Sequence, residues 1–474
     1  MSITARKTCE RCQQLKRRVA EVEAEAAALR DQLERAQQQL AAASKNSSTS
    51  SKPPSSDIVK PPRTPTADGS KRSAGAQPGH PRHERALLPQ EQLTEGSITH
   101  VLELCPTCGH GLQPATAVPR VVQQIDIREV PIQSVEHRSL AGWCPHCQQQ
   151  HFAPLPSDIE CGGLVGPRLT TLIAYMKGVC HASYSTVRKF LRDVVGITIS
   201  RGQLCKVIGK VTAALQESYQ EVYEQLGQQR LLNVDETGHK DNGEPLWTWC
   251  FRAELFTVFK IDRHRSGDVL IEVLGRDFAG VLGCDYFSAY RRYMRECNVL
   301  VQFCLAHLIR DIKFLTTLPD ARDQEYGERL REGVRALFHL IHRREHYVPA
   351  AFQIYLQQAR RNLVQAATTA VPATRHSANM AQRFRQHGEA YFRFITTPGL
   401  APTNNLAEQA IRFVVIDRRI TQGTRSEGGQ RWCERIWTAI ATCCQQGRSV
   451  FEFLFQVVEA YFHQQPSPTL LGNS

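Results

Sequence analysis

Between residues 12 and 43 the chain contains neither glycine nor proline. Its apolar positions there recur at alternating spacings of four and three: Leu15, Val19, Val22, Ala26, Leu29, Leu33, Ala36 and Leu40. This heptad seam predicts a leucine-zipper-like coiled coil over 9–43, of modest stability because alanine fills part of the seam. The pattern stops at 44. Residues 44–86 are rich in Ser, Pro, Lys and Arg, a composition that cannot bury a core and predicts a basic, extended linker. Over 87–160 alternating runs such as VVQQIDIREVPIQSVEHRSLAG read as strands. Helical spacing returns over 161–227, in GPRLTTLIAYMKGV, SYSTVRKFLRDVV and SRGQLCKVIGKVTAALQESYQEVYEQL. The last two are joined by GITIS, with Ser200 placed to cap the second. That pair is helix-turn-helix-like, with Arg188, Lys189, Arg192, Arg201, Lys206 and Lys210 available for DNA.

From 228 the period changes again. RLLNVDE, PLWTWCFRAE and LFTVFKIDR read as strands, SGDVLIEVLGRDF as a helix, GVLGCDY as a strand, SAYRRYMREC as a helix and VLVQFCLAH as a strand. Residues 308–400 read mostly as helices, and the final stretch QRWCERIWTAIATCCQQGRSVFEFLFQVVEAYF is amphipathic and expected to pack on the sheet. Two of the apolar runs end in an acidic residue, Asp235 and Asp285. A third acid, Glu408, falls early in a helix that Thr403 or Asn404 is placed to cap. Unpaired carboxylates are costly to bury, but three that converge suit hard divalent cations, which prefer oxygen ligands. The β-β-β-α-β-α-β order, with acids at the ends of the first and fourth strands, predicts a multidomain chain. It would comprise the coiled coil, a zinc ribbon over 87–160, a helical region over 161–227, and an α/β ribonuclease-H-like domain over 228–464 with a helical insertion at 308–400.

Composition narrows the partners and the compartment. A length of 474 residues suits two to four domains, and a formal net charge of +12 suits a polyanion. No apolar run reaches membrane-spanning length and MSITARKTCERCQQ has no apolar signal core, so a cytoplasmic protein is expected. In a reducing compartment, paired cysteines favour metal. Cys105, Cys108, Cys144 and Cys147 form two CPxC knuckles separated by 35 residues, the ligand set of a structural zinc ribbon. Cys9 and Cys12 form a third pair with no second pair nearby. Cys304 and His307 make half a metal site, with structural or DNA-positioning duty favoured for His307. Trp247 and Trp249 share one side of a strand, where core packing is favoured over base stacking.

Together these residues resemble the insertion-sequence-66 class of bacterial transposases, the TnpC type. The resemblance runs through the zipper-like N-terminus, GAQPGHP at 75–81, the CPxC knuckles, VDETG at 234–238, GCDYFSAY at 283–290, CLAH at 304–307 and NNLAEQAIR at 404–412. It departs at LIRDIKF after His307 and at GTRSEGG over 423–429. The resemblance implies a bacterial, nucleoid-associated DDE transposase acting on terminal inverted repeats and target DNA, with small accessory proteins from the same element. It selects Asp235 over its neighbour Glu236, and implies that Asp235, Asp285 and Glu408 hold two Mg2+ or Mn2+ ions about 3.5–4 Å apart. Asp235 would bridge both ions. Arg412, on the same helical face as Glu408, would meet a phosphate or pair with Glu408. His307 and Arg201 are further candidate DNA contacts. A homo-oligomer through the coiled coil follows from the need to join two element ends. Two other functions stay open at the sequence level: a DNA-binding regulator with an inactive transposase domain, and a ribonuclease-H-like nuclease without strand transfer.

Overall fold

Helix α1 (Glu10–Ala43) runs unbroken through the heptad stretch. Six seam residues, Leu15, Val19, Val22, Leu29, Leu33 and Leu40, are each at least 50% exposed. The computed structural model describes residues 10–43, 87–92, 99–100, 103, 106–110, 121, 123 and 131–472. The linker over 44–86, the motif at 75–81, Cys9 and Cys105 lie outside the described residues, as does the side chain of Cys12. The chain divides into two compact units, one of residues 1–61, 137–193 and 197–474, the other of 62–136 and 194–196. Cys108 belongs to the second unit, Cys144 and Cys147 to the first. Strands β1 (Ala141–Cys144) and β2 (Gln149–Phe152) pair antiparallel around the second knuckle. Residues 131–140, expected to alternate as strand, carry no regular structure, and most of them are exposed, so their alternation has no core to face.

The helical region holds α2 (Ser157–Gly162), α3 (Pro167–Gly178), α4 (Tyr184–Phe190), α5 (Arg201–Ala214) and α6 (Gln216–Glu224). Ser200 caps α5 as expected, its hydroxyl accepting the Gln203 N–H at 3.1 Å. Arg201 is exposed at the first position of α5. Lys210 departs from expectation. Its ammonium is spent on the carbonyls of Cys161 and Gly162, tying α5 to α2, and so is not presented to a partner.

The sheet is built from β3 (Leu231–Asp241), β4 (Glu244–Arg252), β5 (Thr257–Asp262), β6 (Val281–Cys284) and β7 (Leu300–Phe303), with α7 (Gly267–Leu274) before β6 and α8 (Ser288–Cys297) after it. Strand order is β5-β4-β3-β6-β7; β3, β4 and β5 are antiparallel, while β6 and β7 run parallel to β3. The strands and helices read from the sequence between 228 and 303 are present in the expected order, but the last strand stops at Phe303, and Leu305 to His307, read as its end, open the next helix. The helices α9 (Leu305–Leu315), α10 (Ala321–His342), α11 (Pro349–Thr368) and α12 (Arg375–Phe392) fill the expected helical interval. They are followed by α13 (Asn405–Thr421), α14 (Glu427–Gln445) and α15 (Val450–Phe462).

Helix α14 packs on the edge strand β5 by a spacing match. Four residues of helix advance about 6.0 Å and two of strand about 6.8 Å. Thr442, Thr438 and Glu434 therefore come into line with Thr257, Phe259 and Ile261, and accept their backbone N–H groups at 3.1, 3.0 and 2.7 Å. The buried edge has its donors satisfied without another strand. Helix α15 differs from expectation: it packs mainly on α3 rather than on the sheet. Gly178 of α3 is the point of closest approach to α14, where a Cβ would lie 2.6 Å from Ile436 Cγ1.

Candidate active site

Strands β3 and β6 are paired in parallel over Leu231–Asn233 and Val281–Gly283. Asp235 and Asp285 each lie two residues beyond that pairing, at the carboxyl edge where open α/β sheets bind ligands. Asp235 does not end its strand, as the sequence suggested. β3 continues to Asp241 because β4 keeps pairing with it. Gly283 makes the junction possible, since a Cβ there would sit 2.6 Å from Asn233 Nδ2.

Helix α13 brings Glu408 to the same edge. The expected side-chain cap is absent: Asn404 sits at the N-cap position but turns away from the helix. It is almost fully buried. Its Nδ2 donates to the Val234 carbonyl at 2.8 Å and its Oδ1 accepts from Asn233 at 2.9 Å, while its backbone N–H donates to Cys304 Sγ at 3.1 Å. One asparagine thus fastens the start of α13 to β3 and to the start of α9, fixing the first turn in which Glu408 stands.

Asp235 feels the charges of both other acids. Burial pushes the Asp235 carboxyl well above the usual carboxylate range, and the charges of Glu236, Asp285 and Glu408 push it further. Asp285 is pushed up to about 7, first by burial and then by Glu236, against the pull of the Phe287 N–H and Arg265. That N–H donates to Asp285 Oδ1 at 2.8 Å. Glu408 Oε1 lies 3.5 Å from His307 Nδ1 and 3.6 Å from an Arg310 Nη. Both Oε1 and Nδ1 are buried without a hydrogen-bond partner. His307 is pushed down to about 3 by burial and then by Arg310 and Arg383, so its imidazole is neutral at physiological pH. Cys304, His307 and Glu408 have ligand atoms within 4.8 Å of one another, a mixed sulfur, nitrogen and oxygen set. Asp235, Asp285 and Glu408 offer oxygen alone, the set suited to magnesium or manganese.

Arg412 is exposed on α13, and the cation beside Glu408 is Arg310 of α9 instead. Sequence reasoning passed over Glu236. As the strand alternation required, it points away from Asp235, toward α8. Its Oε1 takes two hydrogen bonds from Arg265, at 2.9 and 2.7 Å, and its Oε2 one from the Tyr290 hydroxyl. Only its adjacency to Asp235 could have marked it. Trp249 is fully buried against Phe251 and Tyr290, as core packing required, whereas Trp247 lies under the Arg265 guanidinium at 4.5 Å. In the knuckle, the Cys147 backbone N–H is the first of the contacts that hold the Cys144 thiol below its ordinary range. Cys147 Sγ lies 3.4 Å from His151 Nε2, a neighbour the sequence reading did not single out.

These features agree with comparisons to known proteins. A family of unknown function matches residues 9–86. An uncharacterized protein, y4qI of Sinorhizobium fredii (strain NBRC 101917 / NGR234), is 24% identical over 337 residues, 64% of this chain; the chain spans 61% of that relative's length. The family described as "Transposase IS66 family" matches residues 162–431, more than half of the chain, and that span takes in all three carboxylates. The chain belongs to the IS66 family of transposases.

Proposed function

We propose that the chain is a DDE transposase that cleaves DNA at the terminal inverted repeats of an insertion sequence and transfers the freed strand to target DNA. The observation that carries this reading is the gathering of Asp235, Asp285 and Glu408 at one sheet edge, where burial raises Asp235 and Asp285 and the charges of Glu236, Asp285 and Glu408 raise Asp235 further. Such repulsion fits a divalent cation, and the unpartnered Glu408 Oε1 fits a ligand atom. Asp235, Asp285 and Glu408 would hold two Mg2+ or Mn2+ ions. When bound, these supply an activated water or 3′-hydroxyl and a stabilised leaving oxygen.

The remaining residues position and screen. Asn404 sets the direction of Glu408. Arg265 and Tyr290 hold the Glu236 carboxylate in place beside the two aspartates. His307 flanks Glu408 without adding charge, and Arg310 offsets part of the negative charge. The sheet order supports the ribonuclease-H-like fold that the family implies. The exposed seam of α1 supports pairing with a second copy, as joining two ends requires. The lowered Cys144 thiol supports a zinc-ligand role for the second knuckle, Cys144 and Cys147. The three-residue set at Cys304 is read here as packing and positioning around Glu408.

The test is cleavage of labelled DNA carrying the element's end, with Mg2+ or Mn2+, comparing wild type with Glu408→Gln. Cleavage at the element boundary should fall by at least about 10²-fold in the variant. Binding of the end should stay within about twofold, because Glu408 contacts metal rather than DNA. Equal loss of binding and cleavage would sink the metal assignment. Binding without cleavage by wild type would favour a regulator with an inactive domain.

A further inference from the structure

Beside the carboxylates, the first turns of α7 and α8 enclose a cavity of about 350 Å³. Its walls carry Arg265, Ser266, Ser288, Arg291, Arg292 and Arg295, and among the described residues no acidic side chain lines it. The cavity exists because the two helix starts approach closely at Gly267, where a Cβ would lie 3.2 Å from the Ala289 carbonyl oxygen.

Its four guanidinium groups are not equally committed. Arg265 is held by Glu236 at 2.7 Å. Arg292 is neutralised by Asp268 and Glu296, each at 3.0 Å. Arg295 meets Glu296 only at 3.5 Å, with its side chain 73% exposed. Arg291 pairs with no carboxylate among the described residues. It lies over the Tyr286 ring at 4.6 Å, and its Nε is buried without a hydrogen-bond partner. Two positive charges therefore stand largely uncompensated around a polar cavity, and one donor is buried unsatisfied. That state is costly unless an anion completes it. Helix α8 also starts without a side-chain cap, so its first N–H groups add to the positive end.

The location selects the anion. Ser288 follows Asp285 by three residues, and Arg265 anchors the neighbour of Asp235. Arg265 and Ser288 thus join the cavity wall to the segments that carry Asp235 and Asp285. We propose that the cavity seats a backbone phosphate of the DNA strand entering the active site, away from the scissile bond, with Arg291 and Arg295 supplying the charge and Ser288 a hydroxyl donor. This assignment rests on the transposase reading above.

The experiment uses full-length protein and an end-containing duplex without added Mg2+, with affinity measured across a salt series. Each phosphate neutralised contributes about 0.9 to the slope of log affinity against log salt. Arg291→Ala combined with Arg295→Ala should lower the slope by about 1 and weaken binding roughly tenfold. Lysine at both positions should restore the slope. Arg295→Glu, at an exposed position that leaves the fold intact, should weaken binding at least as much as the alanine pair. Wild-type slope and affinity in the alanine pair, or wild-type binding by Arg295→Glu, overturns the proposal.

Orthophosphate distinguishes the two sources of phosphate. If it stabilises wild type but not the alanine pair while the DNA slope is unchanged, the cavity takes free phosphate and the DNA assignment fails. The two readings fail separately. Glu408→Gln should keep the wild-type slope while losing cleavage. A slope lost in the alanine pair, from a protein that never cleaves, supports the cavity and refutes the catalytic proposal.

Discussion

Asp285 joins charge and stability in one side chain, and the proposed metal would act on both. Its carboxyl, pushed up to about 7 by burial and then by Glu236, favours the protonated form in the folded protein. The stability this contributes is fully present below the ordinary carboxylate range, near pH 4, and is lost as pH rises through about 7. Metal-free protein should therefore lose on the order of 2 kcal/mol between pH 5 and 8 that Asp285→Asn does not lose. Mg2+ should raise the Tm of wild type more at pH 8 than at pH 5.5, because it replaces a proton that is already gone at the higher pH. Thermal melts with and without Mg2+ at both pH values check this, and an equal metal response at the two would refute it. Asn404 makes a second case. Asn404→Ala leaves the buried Asn233 amide and the Val234 carbonyl without their partner, at a cost of about 1–3 kcal/mol. It should lower cleavage while leaving end-binding near wild type, since it reaches the chemistry only through Glu408. A fall in both together would place its role in general folding.

At the scale of elements, the join between α14 and β5 has a sharp consequence. Thr438 accepts the Phe259 N–H in a fully buried setting. Thr438→Val keeps the shape and removes the acceptor, so it should cost about 1–3 kcal/mol, read as a lower urea midpoint with an unchanged slope. A midpoint equal to wild type would mean that the strand edge is satisfied in another way. Glu434, whose acid is raised by burial against the pull of the Ile261 N–H and Arg431, does the same work at the end of the row. Elements far apart in sequence also converge on Glu408: α9 supplies His307 and Arg310, and β3 supplies the Asn404 anchor.

At the scale of the whole molecule, the exposed seam of α1 makes the proposed pairing with a second copy testable. Deleting residues 1–43 should reduce the mass measured by light scattering to that of a single chain, with cleavage of a single end retained and joining of two ends lost. An unchanged mass would move the oligomer interface elsewhere. Among the described residues, no helix is long and apolar enough to cross a membrane.

The order of strands and helices from 228 to 303 was legible in the chain because its signals are local. Alternation, helical spacing and glycine-marked turns each act within a few residues. The boxes around Asp235, Asp285 and Glu408 are likewise local, and they carry the proposed assignment of the three acids. The sequence could not show the length of β3, because the antiparallel pairing that carries it past Asp235 depends on β4. Nor could it show that Asn404 would abandon its helix for β3, that Lys210 would be spent on α2, or that Arg310 rather than Arg412 would stand beside Glu408. Each of these depends on which surfaces meet across more than a hundred residues of chain or between separate elements, and local spacing carries no information about that. The Arg-lined cavity belongs to the same class. Its arginines are ordinary surface residues in sequence, and only the approach of α7 to α8 at Gly267 gathers them around one space.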